Sequence, residues 1–247
     1  MPQKTSKRKI KPLYLLVIIP VILAIIFLGY FLNYYHAEDV AQDYLNSTDS
    51  VTVVKLEKSW FFNGPGEGKA LVFYGGAKVE EEAYAGLMYR LAEEGMDCFL
   101  VMSPFRFAFF AKGEAGRLIT DSKFSSYEEW YVGGHSLGGV VAAAYAADNA
   151  DKVKGVVLLA SYSAGKLPED TMLLQIYGTE DKVLNTEKYK ASEKYRPEKG
   201  SFEEYVIEGG NHAGFGYYGE QKGDGKASIS ADKQQELTAA KIAEFIK

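Results

Sequence analysis

Hydrophobic and polar residues follow two different rhythms along this chain. From Leu13 to Leu32 no charge interrupts L-Y-L-L-V-I-I-P-V-I-L-A-I-I-F-L-G-Y-F-L. At about 1.5 Å per residue, a helix over this run matches the roughly 30 Å hydrocarbon core of a bilayer. Tyr30, Tyr34 and Tyr35 cluster at its far end, as interfacial aromatics do. Lys4, Lys7, Arg8, Lys9 and Lys11 precede it, which by the positive-inside rule predicts a cytoplasmic N-terminus with the rest outside. The competing reading is a cleaved signal peptide, whose apolar core spans about 7–15 residues and ends in a small-x-small site. Here the run is longer and exits through N-Y-Y-H-A-E-D. Pro20 kinks such a helix without excluding it. The expectation is a basic tail over 1–12 and a single-pass anchor in the lipid bilayer of the cell membrane over 13–33. A spacer over 34–50 follows, where 37–45 forms a juxtamembrane helix or an extra helix resting on the domain.

Beyond residue 50 the pattern becomes short apolar runs separated by amphipathic ones. Val51–Lys58 reads as a strand, followed by a turn at Asn63-Gly64-Pro65-Gly66. Ala70–Tyr74 and Cys98–Met102 are all-apolar strands of the kind buried in a parallel sheet. Between them, Glu80–Glu94 carries Ala83, Leu87 and Leu91 at helical spacing and closes on Gly95. Ala115–Ile119 opens a further helix. Trp130–Val132, Val153–Ala160, Leu173–Tyr177 and Glu203–Ile207 read as strands, with helices over Val140–Ala147, Thr186–Lys194 and Ala231–Ile246. Strands alternating with helices predict an α/β domain over 51–247, a mostly parallel sheet covered on both faces.

In such sheets chemistry gathers at the C-terminal ends of the strands. Four unusual stretches fall there: Gly75-Gly76-Ala77, Ser136, Asp181 and His212. Gly134-His135-Ser136-Leu137-Gly138 fits G-x-S-x-G, between an apolar strand and an Ala-rich helix former. In that motif the serine occupies a strained strand-to-helix turn, and the glycines let neighbouring backbones approach without a Cβ. The following helix end presents unpaired N–H groups suited to a developing oxyanion.

A serine nucleophile needs a base and an acid. Of the three histidines, His36 belongs to the exit of the apolar run, and His135 lies inside the motif with its side chain directed into the structure. His212, in a Gly-rich loop after a strand, remains as the base. Asp181 is the first choice of acid and Glu180 the second, in Gly178-Thr179-Glu180-Asp181-Lys182-Val183. Leu137, just after the serine, supplies one oxyanion donor. The loop after Ala70–Tyr74 supplies the other, Ala77 first and Gly76 second.

Charge and cysteine content narrow the classes. The net charge of -5, with +5 on the first eleven residues, leaves -10 on the remainder. An acidic body argues against nucleic acid as a partner. Cys98 is the sole cysteine and sits in an apolar run, so neither an internal disulfide nor a cysteine metal cluster is available. Glu220 and Asp224 do not match the spacing of an EF-hand calcium loop. No cofactor is called for.

The order Ser136, Asp181, His212 is that of the α/β-hydrolase fold. The chain resembles α/β hydrolases, and more narrowly the small membrane-anchored bacterial group related to dienelactone-hydrolase-like enzymes. The resemblance runs from Val51 to Lys247 through F-Y-G-G-A-K-V with E-A-Y-A-G-L, W-Y-V-G-G-H-S-L-G-G, and G-G-N-H-A-G-F-G-Y-Y-G-E-Q-K-G-D-G-K-A-S-I-S. It implies nucleophile, acid and base at Ser136, Asp181 and His212. Two features depart from the family. Gly75 stands where relatives often carry a proline before the oxyanion glycine, and dienelactone hydrolases proper use a cysteine nucleophile.

Only Ser161–Met172 separates two strands where larger relatives insert a lid, so no lid domain is expected. An open site would be bounded by Phe105 and Phe107 (with Phe109 and Phe110) on one loop and by Phe215 and Tyr217 after the histidine. The bland reading of the phenylalanines is core packing. Gln221 or Asp224 would pin the histidine loop. The expected function is a serine hydrolase acting on a small-molecule ester or other acyl substrate. The alternative is a non-catalytic, membrane-tethered binding protein of the same fold. Oligomeric state is not legible in the sequence.

Overall fold

A computed structural model describes residues 12–247. The basic cluster at residues 4–11 lies outside the described residues. The chain divides into two units, ending and beginning at Tyr34 and Tyr35.

The described part of the first unit is helix α1 (Pro12–Leu32), with Pro20 inside it. Among the described residues no helix is long and apolar enough to cross a membrane. This corrects the expectation of a single-pass anchor with the domain on the extracytoplasmic side.

The second unit opens with residues that lie on the domain rather than away from it. Tyr35 bridges to Val79, and Glu38 N–H donates to the Tyr217 carbonyl. The short helix α2 (Asp39–Asp43) buries Ala41. Just after it, Tyr44 stacks on Tyr217 with centroids 5.8 Å apart and packs under the Arg90 guanidinium.

The sheet then forms in chain order. Its first strands are β1 (Thr52–Lys55) and β2 (Ser59–Asn63), an antiparallel hairpin where the sequence pattern predicts a single strand over 51–58. The chain reverses at Glu57-Lys58, closed by Leu56 N–H to the Ser59 carbonyl at 2.8 Å. Next come β3 (Lys69–Tyr74), α3 (Ala85–Glu93), β4 (Asp97–Val101) and α4 (Glu114–Ile119). The helix expected over 80–94 starts as a 3-10 turn at Glu81–Tyr84 before α3 continues it, and it ends at Gly95 with φ 93°. The remaining elements are β5 (Glu129–His135), α5 (Leu137–Asp148), β6 (Gly155–Leu159), β7 (Met172–Gly178), α6 (Thr186–Ala191), β8 (Phe202–Ile207) and α7 (Ala231–Phe245).

The strand order is β1-β2-β4-β3-β5-β6-β7-β8. β1, β2 and β4 run antiparallel in turn, and from β4 onward every pairing is parallel. Alternation along each strand feeds two layers. Leu71 and Phe73 of β3 join Leu87, Leu91 and Ile242 on the face covered by α3 and α7. Ala70, Val72 and Tyr74 join Val141, Ala142 and Leu118 on the face covered by α5 and α4. Burying both faces explains why the central strands read as continuous apolar runs. Residues 160–171 between β6 and β7 form a short loop and no lid. The parallel register brings the C-terminal ends of β3, β5, β7 and β8 to one edge of the sheet.

Candidate active site

Ser136 sits between the last residue of β5 and the first of α5, with φ 52° and ψ -119°. That backbone is costly for a residue with a Cβ and persists only where packing enforces it. The packing is visible at the two motif glycines. A Cβ on Gly134 would lie 2.4 Å from the Gly138 carbonyl carbon and 2.6 Å from the Tyr74 oxygen. One on Gly138 would lie 2.1 Å from the Tyr74 oxygen and 2.5 Å from that of Gly75. The turn is therefore wedged against the end of β3. From below, Ser136 N–H donates to the Leu159 carbonyl, and the Ser161 hydroxyl donates to the Ser136 carbonyl at 2.7 Å. Ser136 and Leu137 stay partly exposed while the preceding strand is buried.

His212 and Asp181 meet from separate loops. Asp181 follows β7, His212 follows β8, and His212 Nδ1 lies 2.8 Å from Asp181 Oδ2. Both side chains are almost fully buried, at 2% and 1% exposure, so the pair is held without competing water. The other carboxylate oxygen, Oδ1, accepts the N–H groups of Val183 and Leu184, each at 2.8 Å. Those two bonds fix the carboxylate's rotation and leave Oδ2 turned toward the imidazole. His212 Nε2 is buried and has no hydrogen-bond partner among the described residues. Glu180, the second choice of acid, enters this network through its main chain, its N–H donating to the Gly210 carbonyl.

The loop carrying His212 is clamped on both sides. Asp224 Oδ2 accepts Ala213 N–H at 2.9 Å, while its Oδ1 accepts Lys182 N–H at 3.2 Å, so one carboxylate ties the acid loop to the base loop. Gln221 accepts from the Tyr218 hydroxyl at 3.1 Å. The pinning role expected of Gln221 or Asp224 thus falls to Asp224. Gln234 carries no signal in the sequence. From α7 it exchanges two hydrogen bonds with the Asn211 main chain, at 3.0 and 2.8 Å.

The two oxyanion candidates differ in their hydrogen bonding. Gly76 N–H donates to the buried Tyr84 hydroxyl at 3.0 Å, so it is already committed. The N–H of Ala77 finds no backbone acceptor among the described residues. Leu137 opens α5, where helix geometry leaves its N–H without an intrahelical acceptor. The loop after β4 is fastened here, with Lys78 N–H donating to the Arg106 carbonyl at 2.9 Å. That loop carries Phe105 and Phe107. Phe105 is 52% exposed, adopts φ 56°, and meets Phe110 edge-on at 6.0 Å.

The other two expected pocket residues lie elsewhere. Phe215 is fully buried with its ring 5.6 Å from that of His135, so it backs the site rather than lining a cavity. Tyr217 stacks on Tyr44 and donates to Asp232 at 2.7 Å, which seats residues 35–44 on the domain. A cluster of aromatics after His212 suggests walls, but only the tertiary packing shows which way the loop turns each ring.

His135 points into the structure, as expected, and is 1% exposed. Its ring lies 4.5 Å from that of His212. Burial holds its pKa well below the ordinary histidine range, and the nearby His212 adds to the depression. His135 is neutral at physiological pH.

A family model for the alpha/beta hydrolase family matches residues 70–236. No curated protein matches the sequence. Among solved structures, the chain is similar to the Francisella virulence factor BioJ, with a TM-score of 0.62 at 15% identity over 84% of this chain and 87% of that one. It is also similar to a dienelactone hydrolase from Anabaena variabilis, with a TM-score of 0.58 at 16% identity over 81% and 96%. A third is carboxyl esterase 2 from the mycorrhizal fungus Tuber melanosporum, with a TM-score of 0.59 at 12% identity over 87% and 92%. At these identities the structural likeness speaks for the fold. The match of the family model over most of the domain goes further: the chain belongs to the alpha/beta hydrolase family.

Proposed function

We propose that this protein is a serine hydrolase acting on carboxylic esters through an acyl-enzyme. The observation that carries the reading is the buried Asp181–His212 pair, whose imidazole keeps Nε2 unpartnered among the described residues, at the same sheet edge as the strained Ser136. In this mechanism Ser136 Oγ attacks the ester carbonyl carbon and His212 Nε2 takes the hydroxyl proton. Asp181 holds Nδ1–H and stabilises the imidazolium. The N–H groups of Leu137 and Ala77 receive the charge that develops on the carbonyl oxygen. The C–O bond to the alcohol then breaks, and the leaving oxygen collects the proton from Nε2. Water repeats the attack on the acyl-enzyme, giving its proton to Nε2. The proton returns to Ser136 as the acid departs. The esterase and dienelactone hydrolase among the similar structures support ester substrates.

The test is hydrolysis of p-nitrophenyl esters from acetate to long acyl chains by the full chain and by its Ser136→Ala and His212→Ala variants. Turnover by the parent, lost in both variants, is expected, together with fluorophosphonate labelling at Ser136. A folded parent that neither turns over any ester nor takes the label would overturn the reading.

A further inference from the structure

The residue inside the serine motif, His135, does more than fill space. Its Nδ1 lies 2.8 Å from the Tyr84 hydroxyl, which is itself fully buried. That same hydroxyl accepts the Gly76 N–H. A phenol has one proton to give. If His135 carried its proton on Nδ1, the Tyr84 proton and the Nε2 lone pair would both be buried without partners. With the proton on Nε2, Tyr84 donates to Nδ1, and only the Nε2–H is left over. An unmade buried hydrogen bond is costly, so the second arrangement prevails. His135 Nε2 is buried and has no hydrogen-bond partner among the described residues.

The result is one continuous path, from the Gly76 N–H through the Tyr84 hydroxyl and the His135 ring to the His212 ring. The path has no slack at its first link. A Cβ on Gly76 would lie 2.9 Å from His135 Nδ1 and 3.0 Å from the Tyr84 oxygen. Its far end is equally confined, with Phe215 and Tyr218 rings 5.6 and 6.5 Å from His135. The loop that offers the Ala77 donor and the ring that serves as base are thereby registered against the same buried imidazole.

We infer that Tyr84 and His135 are positioning residues that couple the oxyanion loop to His212. The inference rests on the ester-hydrolase reading above and deepens it. Loss of the Tyr84 hydroxyl frees Gly76 N–H and leaves His135 Nδ1 without its donor. The donor at Ala77 and the base then drift relative to each other. A misplacement on the order of 1 Å lowers turnover by about 100-fold.

The experiment compares Tyr84→Phe with Tyr74→Phe in the full chain. Tyr74 is an equally buried tyrosine on the other face of the sheet, its hydroxyl donating to the Lys112 carbonyl and accepting Ala115 N–H. It therefore controls for a buried hydroxyl lost without the coupling. The expected result is a fall in kcat of about 10- to 100-fold for Tyr84→Phe at nearly constant KM, with little change in kcat for Tyr74→Phe. Nitrogen-resolved NMR of the three histidines supplies a readout independent of turnover. In the parent, His135 should carry its proton on Nε2, and Tyr84→Phe, but not Tyr74→Phe, should shift the His212 ring resonances. Equal kcat losses in the two variants, a proton on Nδ1 of His135, or unmoved His212 resonances would each overturn the inference. A parent without esterase activity whose His212 resonances still respond to Tyr84→Phe would overturn the ester reading and leave the coupling standing.

Discussion

Asp181→Asn is the sharpest test of the proposed chemistry, because the two carboxylate oxygens have different partners. Oδ1 takes two main-chain N–H groups at 2.8 Å and Oδ2 takes His212 Nδ1 at 2.8 Å. An asparagine has one oxygen to share between them. Turning its oxygen to His212 would aim an NH2 at two partly buried N–H donors, each a loss of about 1–3 kcal/mol. The oxygen therefore stays with Val183 and Leu184, and the NH2 faces Nδ1. The imidazole answers by moving its proton to Nε2, so that Nδ1 accepts. The nitrogen meant to take the Ser136 proton is then already protonated. Activity is expected to fall about 1,000- to 10,000-fold, or roughly 4–5 kcal/mol of transition-state stabilisation. The loop keeps its two hydrogen bonds, so stability should fall by no more than about 1–3 kcal/mol. Asp181→Ala loses those bonds as well and should be the less stable of the two. The assay is kcat/KM for p-nitrophenyl acetate beside thermal denaturation. An Asp181→Asn enzyme within tenfold of the parent, while Ser136→Ala is inactive, would refute the assignment of the acid.

Other contacts carry expectations of their own. Glu81 accepts Ser103 N–H at 2.7 Å in a buried setting, and burial raises its pKa from 4.5 to about 7. Below pH 4.5 the carboxyl is neutral in both the folded and the unfolded chain. Between pH 4.5 and 7 it ionises first in the unfolded chain, so the folded protein loses about 3 kcal/mol by the time pH passes 7. Glu81→Gln should therefore match the parent at pH 4 and exceed its unfolding free energy by about 1–3 kcal/mol at pH 8, read by urea titration, and a pH-independent difference would refute this. Gly138→Ala forces a Cβ to within 2.1 Å of the Tyr74 oxygen, so activity should collapse and stability fall by about 1–3 kcal/mol. Gly113→Ala meets nothing within 4 Å and should match the parent or gain a few tenths of a kcal/mol in a melting experiment. Asp224→Ala frees Lys182 N–H on the acid loop and Ala213 N–H on the base loop, and should lower kcat about tenfold with KM little changed in the same ester assay.

The central strands were legible because burial on both faces leaves an unbroken apolar run that needs no distant information. The serine turn was legible for a similar reason: the glycines at 134 and 138 answer contacts made within a few residues of Ser136 and with the end of β3. His212 is reached by elimination among three histidines, and Asp181 by its place after a strand. β2 escapes the pattern because Glu57-Lys58 makes its reversal without glycine, asparagine or proline to announce it. The apolar run at the start reads as a membrane span along the chain, but among the described residues no helix is long and apolar enough to cross a membrane.

What can be read along the chain is therefore local: apolar period, turn chemistry and the order of serine, acid and histidine. Folding alone fixes which distant groups share a hydrogen bond. Tyr84 and His135 are 51 residues apart, Asp181 and His212 31, and Tyr35 and the Lys222 N–H it accepts 187. Such pairs leave no period or spacing in the chain, because a hydrogen bond across the fold constrains two side chains and nothing between them. The proposed preference for Ala77 over Gly76 as oxyanion donor belongs to this second kind. It turns on one buried phenol reaching a single N–H, which only the packing of the 3-10 turn before α3 against the end of β3 brings about.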